Sequence, residues 1–362
     1  MNKKKIMHLN DSLDMGGAEM MILSVLKALD RALYSPSVCS MLPGVALRQE
    51  FEESGIPVHV LHKKSGVDWG MIVRLSAILR REKIDILHTH NYYAWFYGGI
   101  ASLFAPGCKH VHTQHSNIVM YKSPPWFIKR IISAIPRKIT AVSDQVLETL
   151  LGHKYISNTS NAVIIHNGID LHTFYPADSS HSQDNNRIVI GIVARLSEVK
   201  NHRLLINAFA EVCRDISVVS LKIVGDGPLM ADLKEQADNL GISERIEFAG
   251  EQANVNEILR QFDIFVLCSY SEGFSMSILE AMATGLPVIA TNVGGNPSNV
   301  IDKETGLLVE SDNISELSNA LKKLISDEAM RKRLGNNGRD RVTRLFSLSS
   351  MVNGYQNVYD NI

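Results

Sequence analysis

Short apolar runs recur along this chain, separated by longer stretches whose apolar positions repeat every three or four residues. The runs at 5–9, 37–41, 58–61, 84–89 and 110–114 predict strands, and the stretches at 19–29 and 72–83 predict helices. A polar stretch at 177–186, ADSSHSQDNN, is almost devoid of apolar residues and reads as a linker. The alternation restarts at 188–194, 221–224, 246–249, 264–267 and 288–291. Strands separated by helices imply parallel sheets with right-handed crossovers, so the pattern predicts two α/β halves. A last stretch, 345–359, spaces Phe346, Met351, Tyr355 and Tyr359 like the stripe of one more helix.

Length and composition agree with that division. A chain of 362 residues is long for one core and suits two domains. Hydrophobic content of 45% with 21% charged residues predicts a globular protein, and no apolar run is long enough to span a bilayer. The start, MNKKKIMHLN, lacks an apolar core and a cleavage site, so no signal peptide is expected. Cys39, Cys108, Cys213 and Cys268 are scattered without a C-x-x-C pair, which points to a reducing compartment and to four buried spectators. The net charge of −1 conceals an asymmetry. Residues 1–175 carry 19 Lys and Arg against 13 Asp and Glu, and residues 176–362 carry 18 against 25. A basic first half is expected to face something anionic.

The densest chemistry lies in SYSEGFSMSILEAMATGLPVIATNVGGNP, which begins at Ser269. Glu272 and Glu280 flank a small-residue turn, Gly273-Phe274-Ser275-Met276, that runs into an apolar helix. Ser275 is the expected N-cap, with Glu280 roughly 7.5 Å along the helix axis. The free N–H groups of the first turn form an anion site. A carboxylate on each side of such a site suits a ligand with hydroxyls at both ends and phosphates between them, the layout of a nucleotide sugar.

This stretch resembles the retaining glycosyltransferases of family 4, the bacterial-type glycosyltransferase group 1. Their signature places Glu-x7-Glu inside S-x-x-EGFG-x-x-x-LEAMA-x-G-x-PVIA, and only the residue after Phe274 departs from it, as Ser275. The Pro-Glu that follows the family's double glycine is Pro297-Ser298 here. The resemblance implies the GT-B fold: two Rossmann-like domains facing across a cleft, and a C-terminal helix that crosses back to the first. It implies an acceptor-binding domain over residues 1–175, a nucleotide-sugar domain over 176–344 and the returning helix at 345–362. Glu280 would hold the ribose hydroxyls and Glu272 the sugar hydroxyls, with Gly273, Phe274, Ser275 and Met276 around the donor.

Other loops after strands fit the same picture, since open parallel sheets bind ligands there. Arg195 and Lys200 follow the strand at 188–194, where the family carries GRL-x-x-x-KG, and would neutralise the departing diphosphate. Gly16 and Gly17 resemble the family's GG-x-E and let backbone approach the ligand at a helix start. Gly225-Asp226-Gly227-Pro228 matches a GDGP turn and reads first as structure, and His166-Asn167-Gly168-Ile169-Asp170 resembles the family's PNGID hinge. His115 stands at the family's T-x-H place, where it would face the donor sugar or the acceptor. His88 and His90 share a strand face, but no carboxylate or third ligand follows nearby in the sequence, so no metal site is expected.

The expected function is metal-independent transfer of a sugar, with retention, from a nucleoside-diphosphate sugar to a glycan or lipid-linked acceptor in surface-polysaccharide assembly. A UDP-sugar is favoured over GDP-mannose. No cofactor, metal or nucleic acid is expected; no Asp-x-Asp, the metal-holding pair of the other large glycosyltransferase fold, occurs in the chain. The expected place is the cytoplasm, with peripheral contact at the inner face of the plasma membrane. Between Tyr121 and Lys138 the sequence YKSPPWFIKRIISAIPRK has five basic residues, no acidic ones and an apolar helical face, which suits an interfacial helix as well as one packed on a sheet. Two rival readings stay open: a sugar-nucleotide epimerase or phosphorylase on the same fold, and, from a different class, a dinucleotide-dependent oxidoreductase or a non-catalytic nucleotide-binding module. Gly225-x-Gly227 lacks the third glycine of a dinucleotide fingerprint.

Overall fold

The computed structural model describes residues 3–14, 16–44, 46–115, 125–177 and 187–362, without the side chains of Trp126 and Phe127. The chain divides into two compact units, Met1–Gly168 with Leu348–Ile362, and Ile169–Ser347. The first division falls between Gly168 and Ile169 rather than at 175/176, and the second falls between Ser347 and Leu348 rather than at 344/345. Most of the expected linker, 178–186, lies outside the described residues.

The first unit contains strands β1 (Lys4–Asn10), β2 (Tyr34–Ser40), β3 (Val58–Val60), β4 (Ile86–His90), β5 (Lys109–Gln114), β6 (Lys138–Ala141) and β7 (Ala162–Ile164). They form one parallel sheet in the order β3-β2-β1-β4-β5-β6-β7. Alternation along β1 assigns the layers. Ile6 packs with the helix Gly17–Ala28 and the C-terminal helix Leu348–Asp360. Met7 and Leu9 point the other way, against Trp69–Glu82 and Asn91–Leu103. A sheet covered on both faces needs apolar residues at nearly every position, which is why these strands read as runs rather than as alternating patterns. The terminal helix buries Met351, Tyr355 and Tyr359 of the expected stripe, while Phe346, its fourth member, is buried but caps the preceding helix.

The second unit contains β8 (Ile188–Val193), β9 (Val219–Val224), β10 (Ile246–Gly250), β11 (Ile264–Leu267), β12 (Val288–Thr291) and β13 (Leu307–Val309), parallel in the order β10-β9-β8-β11-β12-β13. Both sheets therefore have the doubly wound order in which the strand sequence reverses beside the first strand of the unit. The sequence reading lacked β6, β7 and β13. Each has only three or four residues and too little pattern to stand apart from its flanks. Cys39 and Cys268 are buried, but Cys108 and Cys213 are only half-buried, so the expectation of four buried thiols holds for two. All four are free. Among the described residues, no helix is long and apolar enough to cross a membrane.

Candidate active site

In the second unit the site grows from two loops that follow adjacent strands. After β8 the chain makes a short 3-10 turn, Glu198–Lys200, and enters the helix His202–Asp215. Asn201 adopts the left-handed conformation (φ 48°) and caps that helix, its Oδ1 accepting from the Leu204 N–H at 3.3 Å. After β11 the chain turns through Ser269–Gly273. The Tyr270 N–H donates to the Val199 carbonyl at 2.8 Å, tying the two loops together. Lys200 Nζ consequently meets Glu272 Oε1 at 2.5 Å, and Ser269 Oγ donates to the same oxygen at 2.5 Å. The Lys200 and Glu272 side chains are 26% and 10% exposed, so the pair is shielded but reachable. The sequence assigned these two residues to different parts of a ligand, and the structure pairs them directly.

Backbone packing holds that loop. Gly294 has φ +56°, and a Cβ there would fall 2.0 Å from the Glu272 carbonyl oxygen. A Cβ on Gly295 would fall 1.9 Å from the Gly273 carbonyl oxygen. The Gly295 N–H donates to the Glu272 carbonyl at 3.0 Å. Only glycine permits so close an approach of two backbones. Gly225 and Gly227 do the same under the other loop, where Cβ atoms would meet the Ala194 and Leu196 carbonyl oxygens at 2.1 and 2.4 Å. The GDGP turn is thus the seat of the Arg195 segment, in line with its structural reading. Arg195 itself is exposed and forms no ion pair among the described residues.

Ser275 caps the helix Met276–Ala283, its Oγ accepting from the Ile278 N–H at 3.4 Å. Phe274 is buried and stands edge-on to Phe346, with centroids 5.3 Å apart. Met276 is half-buried. Glu280, just over a turn inside the helix, retains some exposed surface, yet burial of its carboxyl raises the pKa from 4.5 to about 7. It forms no ion pair among the described residues. A half-buried carboxyl without a cation can accept hydrogen bonds when it is ionised.

In the first unit, Gly16 caps and Gly17 opens the helix Gly17–Ala28, but the helix start already faces a carboxylate of its own. A Cβ on Gly16 would meet Glu19 Oε2 at 2.4 Å, and Glu19 Oε1 accepts from Asn10 Nδ2 at 2.7 Å. Burial raises the pKa of Glu19, and burial together with the Glu19 charge raises that of Asp11 to about 6. Two half-buried carboxylates here oppose the binding of a further anion at this helix start.

His115 follows β5 and is almost fully buried. Its backbone N–H donates to Asn91 Oδ1 at 3.2 Å, and its ring Nε2 lies 2.8 Å from His90 Nδ1. Burial lowers its pKa to about 3. Beyond it lies a cluster that the sequence reading missed. His8 on β1 pairs in register with His88 on β4, so the two rings and His90 share one face, with ligand atoms within 4.8 Å of one another. A third histidine therefore does stand beside His88 and His90, brought from a neighbouring strand rather than from nearby sequence. Every ring nitrogen of the three already has a partner, however. No carboxylate joins them, and a cation there would break bonds that now satisfy the site. The donor set fits a neutral network better than a metal centre. On the opposite sheet face, His112 stacks on Trp95 at 4.0 Å, and Thr89 lies within hydrogen-bond reach of His110 and His112.

The basic segment between Tyr121 and Lys138 is described only from Pro125. Its helix, Trp126–Ala134, turns Ile132 inward against Trp95 and Tyr155. Lys129, expected on an outer basic face, is buried: Nζ donates to the His153 carbonyl at 2.9 Å and sits 4.5 Å from the Tyr155 ring. Ile131, Arg130 and Arg137 are exposed.

Of the sequence-predicted residues, the structure thus brings Lys200, Glu272, Gly273 and the Ser275 cap into one locality of the second unit. His115, Gly16 and Gly17 lie in the first unit. Ser269, Asn201, Gly294 and Gly295 support the site without having been singled out; the double glycine beside the signature was their one visible signal.

Residues 177–341 match the family described as glycosyl transferases group 1, and residues 15–173 match that described as Glycosyltransferase Family 4. Among curated relatives, the N-acetyl-alpha-D-glucosaminyl L-malate synthase of Bacillus anthracis is 27% identical, covering 86% of this chain and 84% of that one. The UDP-Gal:alpha-D-GlcNAc-diphosphoundecaprenol alpha-1,3-galactosyltransferase of Escherichia coli is 29% identical, covering 81% and 79%. The uncharacterized glycosyltransferase MJ1178 of Methanocaldococcus jannaschii is 30% identical, covering 79% and 78%. Among solved structures, Anabaena Alr3699/HepE in complex with UDP superposes with a TM-score of 0.87 at 22% identity, over 99% of this chain and all of that one.

Proposed function

The chain belongs to the group 1, family 4 glycosyltransferases, and we propose that it transfers a sugar with retention from a UDP-sugar to a glycan or lipid-linked acceptor, without a metal. The observation that carries this reading is the Lys200–Glu272 pair beside the Ser275-capped helix, at the end of a parallel sheet where ligands of such folds bind. Lys200 and Arg195 supply the charge that a departing diphosphate needs. The Met276–Ala283 helix start adds its N–H groups. Glu280 accepts from the ribose hydroxyls. Glu272 turns from Lys200 toward sugar hydroxyls as Lys200 moves to phosphate. In this scheme the acceptor oxygen bonds to the anomeric carbon as the bond to the diphosphate breaks. The acceptor proton passes to a phosphate oxygen on the same face.

The UDP in the Anabaena structure supports uracil as the base. The diphosphoundecaprenol substrate in the name of the Escherichia coli relative supports a lipid-linked acceptor and work in the cytoplasm at the inner face of the membrane. Contact with that surface would use Ile131, Arg130 and Arg137 rather than the buried Lys129.

The test is a thermal-shift screen against UDP, GDP, ADP and their sugars, followed by NMR of the product anomer in excess EDTA. A ligand at 100 times its Kd adds about 2.7 kcal/mol of stability, so the matching nucleotide stands out. Stabilisation by no nucleotide, inversion at the anomeric carbon, or activity that chelator abolishes and Mg²⁺ restores would each overturn the corresponding part.

A further inference from the structure

His115 is the end of a continuous line of side chains. From its Nε2 the contacts run to His90 Nδ1 (2.8 Å), from His90 Nε2 to His8 Nδ1 (2.9 Å), and from His8 Nε2 to Tyr359 Oη (3.0 Å). They continue from Tyr359 Oη to His88 Nδ1 (2.6 Å), from His88 Nε2 to Thr113 Oγ1 (2.6 Å), and from Thr113 Oγ1 to Thr140 Oγ1. All seven residues are buried. Among the described residues, no carboxylate hydrogen-bonds to any of the four rings.

Proton counting restricts such a line severely. Tyr359 has one hydroxyl proton and two nitrogens to satisfy, so it donates to one and accepts from the other. A neutral imidazole likewise donates from one nitrogen and accepts at the other. Burial keeps the rings neutral, lowering the pKa of His8 and His115 to about 3 and those of His88 and His90 well below the ordinary value. Only two sets of tautomers then leave no ring nitrogen in these contacts and no Tyr359 proton unsatisfied. In one, all four histidines carry the proton on Nε2 and every bond from His115 to Thr113 points toward Thr140, with the Thr113–Thr140 bond free to run either way. In the other, all four carry it on Nδ1 and those bonds are reversed.

The two arrangements differ at the free end. His115 Nδ1 is enclosed and has no hydrogen-bond partner among the described residues. The reversed arrangement would put an unsatisfied N–H there, and orphaned buried N–H groups are rarer than under-used acceptors. We propose that His90, His8, Tyr359, His88 and Thr113 are positioning residues for His115: as one proton-ordered chain they fix its ring as the Nε2–H tautomer and keep Nδ1, enclosed in the ligand-free protein, as an acceptor for a ligand hydroxyl that uncovers it. This rests on the reading above in one respect only, that His115 faces a sugar-bearing ligand. A ligand hydroxyl donates to Nδ1 without disturbing the chain, whereas a phosphate oxygen at that atom would require the five bonds from His115 to Thr113 to reverse together. Tyr359 makes the C-terminal helix part of the site, although it is distant from His115 in sequence.

The experiment is long-range ¹⁵N–¹H spectroscopy of the full chain with labelled histidine. In ligand-free wild-type protein, His115, His90, His8 and His88 should all be neutral Nε2–H tautomers, and UDP-glucose should leave them so. Tyr359→Phe cuts the chain at its centre and leaves the His8 Nε2–H without an acceptor. His115 should then become a mixture of tautomers, although Tyr359 does not touch it. Turnover should fall about tenfold, the worth of one hydrogen bond, with UDP affinity unchanged. Four rings of differing tautomer in the wild type overturn the proposal without any variant, and so does a His115 that keeps its wild-type signals in Tyr359→Phe. A merely structural Tyr359 would lower the melting temperature and leave the His115 tautomer alone. If the protein transfers no sugar at all, the functional reading fails while the tautomer result stands.

Discussion

The Glu272 loop of the second unit and the His115 end of the first unit reach a defined geometry by opposite means. Around Glu272 the means are charge and close backbone contact, with Lys200 and Ser269 on one carboxylate oxygen and Gly294-Gly295 pressed against the loop. Around His115 they are neutrality and length, a line of uncharged groups that takes its order from residues on four strands and the terminal helix. A charged loop can be rearranged by a charged ligand, because Lys200 can exchange a carboxylate for a phosphate. A neutral chain changes only as a whole.

The comparison breaks most visibly in acid. The buried histidines have folded pKa values below that of the unfolded chain, about 3 for His8, His110 and His115. Between pH 6.5 and 3 the unfolded chain therefore binds more protons, so stability is complete above about 6.5 and is lost as pH falls. Each extra proton contributes a slope of about 1.4 kcal/mol per pH unit. Trp69, Trp95 and Trp126 all belong to the first unit, so their fluorescence in urea at stepped pH reports on it. A urea midpoint flat from pH 7 to 5 would mean that the histidines are not held neutral.

Next in size come the cations. Arg195→Ala and Lys200→Ala should each lower kcat roughly 100-fold or more, as expected when a contact to developing charge is lost. Lys200→Ala also leaves Glu272 without its cation. A loss of ground-state UDP affinity with kcat unchanged would show that these residues bind the nucleotide uniformly rather than favouring the transition state.

Gly295→Ala tests the backbone seat. Its Cβ would lie 1.9 Å from a carbonyl oxygen that cannot rotate away. The change should cost about 1–3 kcal/mol in thermal stability and disturb Glu272. A variant with unchanged melting temperature and turnover would remove the seat from the argument.

The smallest effect concerns Glu280. Its pKa near 7, raised by burial from 4.5, means that the carboxyl contributes to folding below about 4.5 and that this contribution is lost as pH rises through 7. Ligand binding runs the other way, because the ionised form accepts more hydroxyl donors. UDP affinity measured by calorimetry should rise about tenfold across pH 6–8, as for one hydrogen bond to a charged group. Glu280→Gln should flatten that profile. A wild-type profile already flat over this range would take Glu280 out of the ribose subsite.

Local pattern carried a great deal of this protein. The apolar runs located ten of the strands because both sheets are covered on both faces, and Ser275 was legible as a cap because capping depends on neighbours three residues away. The family signature holds Glu272 and Glu280 within one short segment, so their proximity to a helix start was readable. The boundary between the units was less so: it lies at Gly168–Ile169 in irregular backbone, whereas the polar stretch that drew notice falls later.

What the sequence alone determined were features spanning a few bonds: strand and helix periods, the cap, and the glycines at close approaches. Only the tertiary structure decided which distant side chains would meet. Register between β1 and β4 sets His8 beside His88, and the packing of the terminal helix inserts the Tyr359 hydroxyl between them. The same kind of closure draws Lys200 onto Glu272, 72 positions away. Buried polar groups must find partners wherever the fold brings them, and no periodicity along the chain encodes a partner on another strand.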